Sequence, residues 1–158
     1  MDVVVRRVAA AATRPLRLDV LRPGQPPASA VYPGDDHATS VHLAAEADGQ
    51  VVGIASLYCE ARDGGPAPAW RLRGMATAPS VRGTGVGAAL VRACAEHVAA
   101  QGGGELWCNA RVSASGFYVR HGFEVVGERF EIEGIGAHEV MRREVAAAPA
   151  VAFDDGRP

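Results

Sequence analysis

The stretch Pro79-Ser80-Val81-Arg82-Gly83-Thr84-Gly85-Val86-Gly87 constrains this chain more than any other. Three glycines at alternate positions let the backbone turn sharply and keep side chains clear of a bound group. A helical pattern starts at once behind them. Val86, Leu90, Cys94 and Val98 recur every four residues, with Ala89 and Ala93 beside them, as far as about Gln101. Successive amides at such a helix entry face one concavity, and the helix dipole adds favourable potential. The loop is therefore an anion site suited to a pyrophosphate, with Arg82 as a further charged donor.

Several readings of this loop compete. A P-loop is excluded, because the G-x-x-x-x-G-K-[ST] pattern is absent. Gly83-x-Gly85-x-x-Ala88 satisfies a dinucleotide fingerprint, and Glu105 lies about 20 residues further on. However, Pro79 to Val81 separates the loop from the preceding strand, and Glu105 opens its own strand rather than closing it. A coenzyme A pyrophosphate site is the third reading. A glycine-rich helix entry with no ligand is the plainest one, and alternate glycines weaken the adjoining regular structure, which counts against it.

Composition removes further classes. The 158 residues carry 16 basic side chains, all of them Arg, and a formal net charge of −2. Without a Lys there is no Schiff-base chemistry, and a near-neutral chain argues against binding nucleic acid through phosphate neutralisation. Cys59, Cys94 and Cys108 form no C-x-x-C pair, which excludes a disulfide framework and the usual zinc spacing, so free buried thiols in a reducing cytosol are expected. Met1-Asp2 leads straight into Val3-Val4-Val5-Arg6-Arg7, with no signal-peptide pattern, and no apolar run approaches the ~20 residues of a membrane span. A soluble, cytoplasmic protein that engages no membrane is expected.

The pattern along the chain predicts β-α-β-β-β-α-β-α-β-β. Val3 to Val8 reads as a strand, and Pro15 to Arg22 as a helix with Thr13 as N-cap. Pro23 to Pro33 reads as a loop, continued by Asp35-Asp36-His37. Val41 to Ala47 and Val51 to Glu60 form a hairpin around Asp48-Gly49. Trp70 to Thr77 alternates Trp70, Leu72, Gly74 and Ala76 against Arg71, Arg73, Met75 and Thr77. Leu106 to Ala110 is a strand, Ser113 to Arg120 a helix with Ser113 as N-cap and Gly122 after its end, and Phe123 to Phe130 pairs with Glu139 to Glu144. The fold class is α/β with a mixed sheet, one domain over 1–145, followed by a disordered tail over 146–158.

Three blocks carry a family resemblance. Arg82-Gly83-Thr84-Gly85-Val86-Gly87 is similar to the [QR]-x-x-G-x-[GA] signature of the GNAT superfamily of N-acetyltransferases. Met75-Ala76-Thr77-Ala78-Pro79 resembles that family's fourth strand and its following proline, and Phe117-Tyr118-x-x-x-Gly122-Phe123 its fourth-helix signature. Glu131-x-Glu133-Gly134-Ile135-x-x-His138-x-x-Met141 resembles the small ElaA-like branch. The resemblance covers roughly Val41 to Val145. It implies a GNAT acyl-CoA N-acyltransferase fold and an acetyl-CoA-dependent N-acetyltransferase. Its acceptor would be a primary amine, on a small molecule or a peptide, that attacks the thioester directly. It implies no metal, and homodimers are common in such a family. A GNAT-like domain that holds acyl-CoA without turnover is the alternative.

The resemblance also implies site residues. Amides of Arg82, Gly83, Thr84, Gly85, Val86 and Gly87 would hold the pyrophosphate of acetyl-CoA. The main chain of Met75, Ala76 and Thr77 would pair with the pantetheine arm. Tyr118 would protonate the departing thiolate, although its spacing alone suggests a half-buried aromatic with its hydroxyl satisfied by backbone. The family's usual Asn falls on Arg111, where the ElaA-like branch has Gln; Arg111 and Asn109, two positions earlier on the same strand face, are both candidate cofactor contacts. His138 is the titratable candidate for general base, with His42, His37 and Glu60 as alternatives, although a lone histidine is more often a satisfied structural or surface residue. Asp35-Asp36-His37 would line the acceptor pocket. Arg71 and Arg73 suit an acidic acceptor or cofactor phosphates, but a solvated edge face is the simpler expectation. Cys59 and Cys108 read as inert packing thiols.

Overall fold

The computed structural model describes residues 2–149. It contains one seven-stranded sheet: β1 (Val4–Val8), β2 (Val41–Ala47), β3 (Gln50–Tyr58), β4 (Ala69–Thr77), β5 (Gly104–Arg111), β6 (Glu124–Ile132) and β7 (Gly136–Val145). Their spatial order is β1-β2-β3-β4-β5-β7-β6. All neighbours are antiparallel except β4 and β5. Antiparallel hairpins need only short turns, whereas the parallel step needs a crossover. That crossover is the helix α2 (Val86–Ala100). The mixed sheet and the predicted element order agree with this architecture.

The α2 stripe expected from the sequence is buried: Val86, Leu90, Cys94 and Val98 are each at most 2 % exposed, and Val91 joins them. They pack on Leu43, Ala55, Leu57, Trp70, Leu72, Leu106 and Met141 across the sheet face. Close approach needs Gly53, where a Cβ would lie 2.7 Å from a Val86 methyl.

Two terminal signals were misleading. Thr13 does not cap a helix from outside. It sits in helical backbone, inside a run that starts as a 3₁₀ turn (Ala10–Thr13) and continues as α1 (Arg14–Leu16) and a wider π turn (Arg17–Leu21). Its hydroxyl donates back to Ala10 O at 2.7 Å, a local bond that competes with capping. Ser113 likewise lies within a 3₁₀ turn (Val112–Ala114), and α3 spans Ser115–Arg120. The stretch read as pure loop contains a 3₁₀ turn at Pro27–Ala30.

The alternation of β4 also breaks. The β3–β4 register slips between Ile54 and Ser56, opposite residues 73 to 76, where Gly74 has φ +66°. This is a β-bulge, which adds a residue and turns the strand. Trp70 and Leu72 face α2, and after the bulge Met75, rather than Ala76, packs with them. A side chain at Gly74 would also strike the Tyr32 ring at 3.1 Å. Ala148 N donates to Ala99 O at 2.9 Å, so the chain just beyond β7 lies along the end of α2. The rest of the expected tail, 150–158, lies outside the described residues. Among the described residues no helix is long and apolar enough to cross a membrane.

Candidate active site

The bulge opens the site. β4 and β5 are paired only from Ala69–Glu105 to Arg71–Trp107. Beyond that, β4 stays on β3 as far as Thr77, and β5 stays on β7 as far as Arg111. The two central strands therefore part towards their carboxyl ends, leaving a wedge between main chains that have no partner on that side. This is where open α/β sheets place ligands.

Two cavities meet in the wedge. One, about 430 Å³, runs beside Met75, Ala76 and Thr77, past Arg82, Gly83, Gly85, Val86 and Gly87, and along Phe117 of α3. The other, about 170 Å³, lies between β4 and β5 under Tyr32 and the tip of the β6–β7 hairpin, Ile132 and Ile135. Met75, Ala114 and Tyr118 line both.

The glycine loop reaches the first cavity in a defined way. A 3₁₀ turn (Pro79–Val81) precedes it, and Arg82 N and Thr84 N donate back to Pro79 O and Val81 O at 3.4 and 3.2 Å. Thr84 also directs its hydroxyl to Val81 O, so this residue turns away from the cavity. Gly85 takes φ +90° as the residue before α2. The amides that open the helix have no carbonyl partner within it, and Gly85, Val86, Gly87 and Ala88 line the cavity. Gly87 serves packing instead: a Cβ there would lie 3.2 Å from the Phe117 ring.

Tyr118 is 6 % exposed and held edge-on between Phe117 and Phe123, each 5.2 Å away by ring centre. Tyr118 lines both cavities. Burial, then the nearby Cys108 and Cys94, hold this phenol well above the ordinary tyrosine value. It is protonated at neutral pH and has a proton to give.

His138, 4 % exposed, lines the smaller cavity opposite Arg111 in the β5–β7 register. Its Nδ1 meets Gly136 O at 2.8 Å and the ring stacks on Phe130. A proton on Nδ1 directed at that carbonyl leaves Nε2 as the basic nitrogen. The alternative bases are otherwise engaged. His42 bonds Ser56 Oγ at 2.7 Å and Asp35 O at 2.9 Å, His37 bonds Thr39, and Glu60 pairs with Arg71 at 3.1 Å.

Other expected residues fall differently. Asn109 lines the smaller cavity and not the one beside the glycine loop. Arg111 reaches across to donate to Leu21 O at 3.0 Å. Asp35 does not line the smaller cavity; it is buried against Arg17. Arg73 is half-buried in the cavity wall, not on a solvated face. Cys59 is exposed, not buried. Glu105 binds Arg62 and Arg142 at 2.7 and 2.6 Å at the far end of β5, which removes it as a ribose ligand. Burial would raise its carboxyl, but the bonds from Arg62 and Arg142 outweigh that and lower it.

The comparisons with known proteins agree with this geometry. A family model described as an acetyltransferase (GNAT) domain matches residues 34–144. The chain belongs to the GNAT acetyltransferase family. It is 36% identical over 141 residues to the uncharacterized N-acetyltransferase YitI of Bacillus subtilis (strain 168), covering 87% of this chain and 93% of that one. In structure it resembles Escherichia coli ElaA (TM-score 0.72, 20% identity, covering 90% of this chain and 100% of that one). It also resembles an aminoglycoside 6'-N-acetyltransferase complexed with coenzyme A (TM-score 0.69, 14% identity, covering 92% and 99%). These structural likenesses establish a GNAT acyl-CoA N-acyltransferase fold, and the family match makes the chain an N-acetyltransferase.

Proposed function

We propose that this GNAT enzyme moves acetyl from acetyl-CoA to the primary amine of a small acceptor, by direct attack and without an acyl-enzyme. The carrying observation is that Tyr118 and Met75 stand where the two cavities meet. The larger cavity suits the coenzyme, with pyrophosphate on the amides of Gly83, Gly85, Val86 and Gly87 and pantetheine along Met75, Ala76 and Thr77. The GNAT family match and the coenzyme A held by a protein of the same fold support that donor. The smaller cavity suits the acceptor, with Asn109 and Arg111 on its β5 wall.

The amine nitrogen attacks the thioester carbonyl while His138 Nε2 takes its proton. A main-chain amide of β4 in the unpaired stretch steadies the developing oxyanion. The carbon–sulfur bond then breaks, and Tyr118 gives its proton to the thiolate. Buried Cys94 and Cys108, pushed up to about 12 by burial, are unsuited to a covalent route. The reaction belongs in the cytoplasm, where the acyl donor is available.

Release of free CoA with a broad amine panel tests this reading. Acetyl-CoA binding with no release from any amine would instead indicate an acyl-CoA-binding module. Binding of a nicotinamide dinucleotide and not of acetyl-CoA would overturn both.

A further inference from the structure

Among the described residues, four arginines line the smaller cavity and no carboxylate does: Arg22, Arg71, Arg73 and Arg111. Only Arg71 is neutralised, by Glu60 at 3.1 Å, and it lies over the Trp107 ring. Among the described residues Arg22, Arg73 and Arg111 have no acidic partner within ion-pair distance. Arg22 and Arg111 both donate to one neutral acceptor, Leu21 O, at 3.1 and 3.0 Å. Two guanidinium groups thus converge on a single carbonyl. Arg73 stacks on Tyr32 at 4.2 Å, and burial, then Arg71, lower its pKa, with Arg22 adding a smaller push. A guanidinium stays charged through such a shift, so like charges are held together in a partly dry cleft. The chain as a whole is slightly acidic, at −2, so this is a local arrangement. Nearby Arg17 shows the other outcome: it is fully buried and satisfied two-fold by Asp35. Each guanidinium offers five donors in a fixed fork, and most of those on Arg22, Arg73 and Arg111 are unengaged. Planar oxyanions match that fork in two-point contact.

We propose that the acceptor is a small amine carrying an anionic group, a carboxylate or a phosphate, held by Arg73 and Arg111 with Arg22 at the rim. Its amine then faces Met75 and Tyr118, where the cavities join. This rests on the acetyl-transfer reading above and names its substrate class. The cavity, about 170 Å³, suits a compact molecule. Polyamines and other polycations are disfavoured by like charge.

The test uses the full chain and matched amines. O-Phosphoethanolamine is compared with ethanolamine, and glycine and glutamate with their neutral amides, with CoA release as the readout. The anionic member of at least one pair is expected to show a kcat/KM about tenfold or more above its neutral partner; the pair that does so separates phosphate from carboxylate. Arg73→Gln should raise KM about tenfold with kcat little changed, and Arg73→Lys should recover part of the loss. A readout independent of turnover is calorimetric titration of glutarate and glycerol phosphate into the enzyme, with and without CoA. Binding of one of them should weaken about tenfold in both Arg73→Gln and Arg111→Gln, while acetyl-CoA affinity and melting temperature hold. Preference for neutral or cationic amines would overturn the proposal. So would anionic probes that do not bind, or that bind both variants as well as the parent. Failure of acetyl-CoA itself to bind in the same calorimeter would instead sink the transfer reading.

Discussion

Arg17 and Asp35 form a two-armed ion pair sealed beneath the β4 bulge. Arg17 Nη1 lies 2.7 Å from Asp35 Oδ2, and Nη2 lies 3.1 Å from Oδ1. Arg17 also donates to Ala30 O, Ser56 Oγ and Tyr58 Oη, while the Tyr58 hydroxyl and Tyr32 N donate to Asp35. The pair ties the π turn after α1 and the following loop to β3, and so sets where Tyr32 stands over the cavity. Burial works to raise the Asp35 carboxyl, but the bonds from Arg17, Tyr58 and Tyr32 N outweigh it and hold the group at about 2, below its ordinary 3.8. A lowered folded-state value means that the ionised form favours the fold. That contribution is complete above roughly pH 4 and is lost as pH falls through about 2. Asp35→Asn leaves Arg17 buried without its counter-ion and should cost about 3–5 kcal/mol. Denaturant melts at pH 7 and pH 3 check this, and the loss should be smaller at pH 3.

Tyr118→Phe keeps the ring between Phe117 and Phe123 and removes only the hydroxyl. We expect kcat to fall by about 10²-fold or more with acetyl-CoA affinity unchanged. Equal turnover at saturating substrate would exclude the acid role.

His138→Ala should lower kcat/KM by about 10²-fold, with added imidazole recovering part of the loss. A variant with parental turnover would show that the amine loses its proton elsewhere.

Gly85 and Gly87 should respond differently. Gly85→Ala forces a side chain to φ +90° and costs about 1 kcal/mol or more, felt as a roughly fivefold to tenfold weaker acetyl-CoA Kd. Gly87→Ala sets a methyl 3.2 Å from Phe117 and displaces the α3 helix that carries Tyr118, so kcat should fall as well. Calorimetry and steady-state rates on the two variants separate these effects.

Cys94 and Cys108 are buried, with their thiols pushed up to about 12, whereas Cys59 is exposed. Iodoacetamide at mildly alkaline pH should therefore label one thiol in the native protein and all three after denaturation, as mass spectrometry would count.

Much of the fold is written in local pattern. The α2 stripe, the Asp48-Gly49 turn and the element order follow from periodicities of 3.6 and 2, which depend only on neighbours along the chain. The glycine loop is legible for the same reason, since a left-handed residue at Gly85 is a local demand. Local pattern failed at Gly74. There a bulge reverses the facing of Met75 and Ala76, and the cause is a register slip against β3, which no single segment encodes.

The site was legible as a set of residues and not as an arrangement. By itself the sequence determined the helix stripe and the glycine-rich turn that opens α2. Only the tertiary structure decided that β4 and β5 part beyond Arg71 and Trp107, that Asp35 supports the cavity instead of lining it, and that Arg22, Arg73 and Arg111 converge. Those three lie far apart in the chain. Bringing them to one wall takes long-range strand pairing and a buried ion pair, whose energies come from contacts between segments.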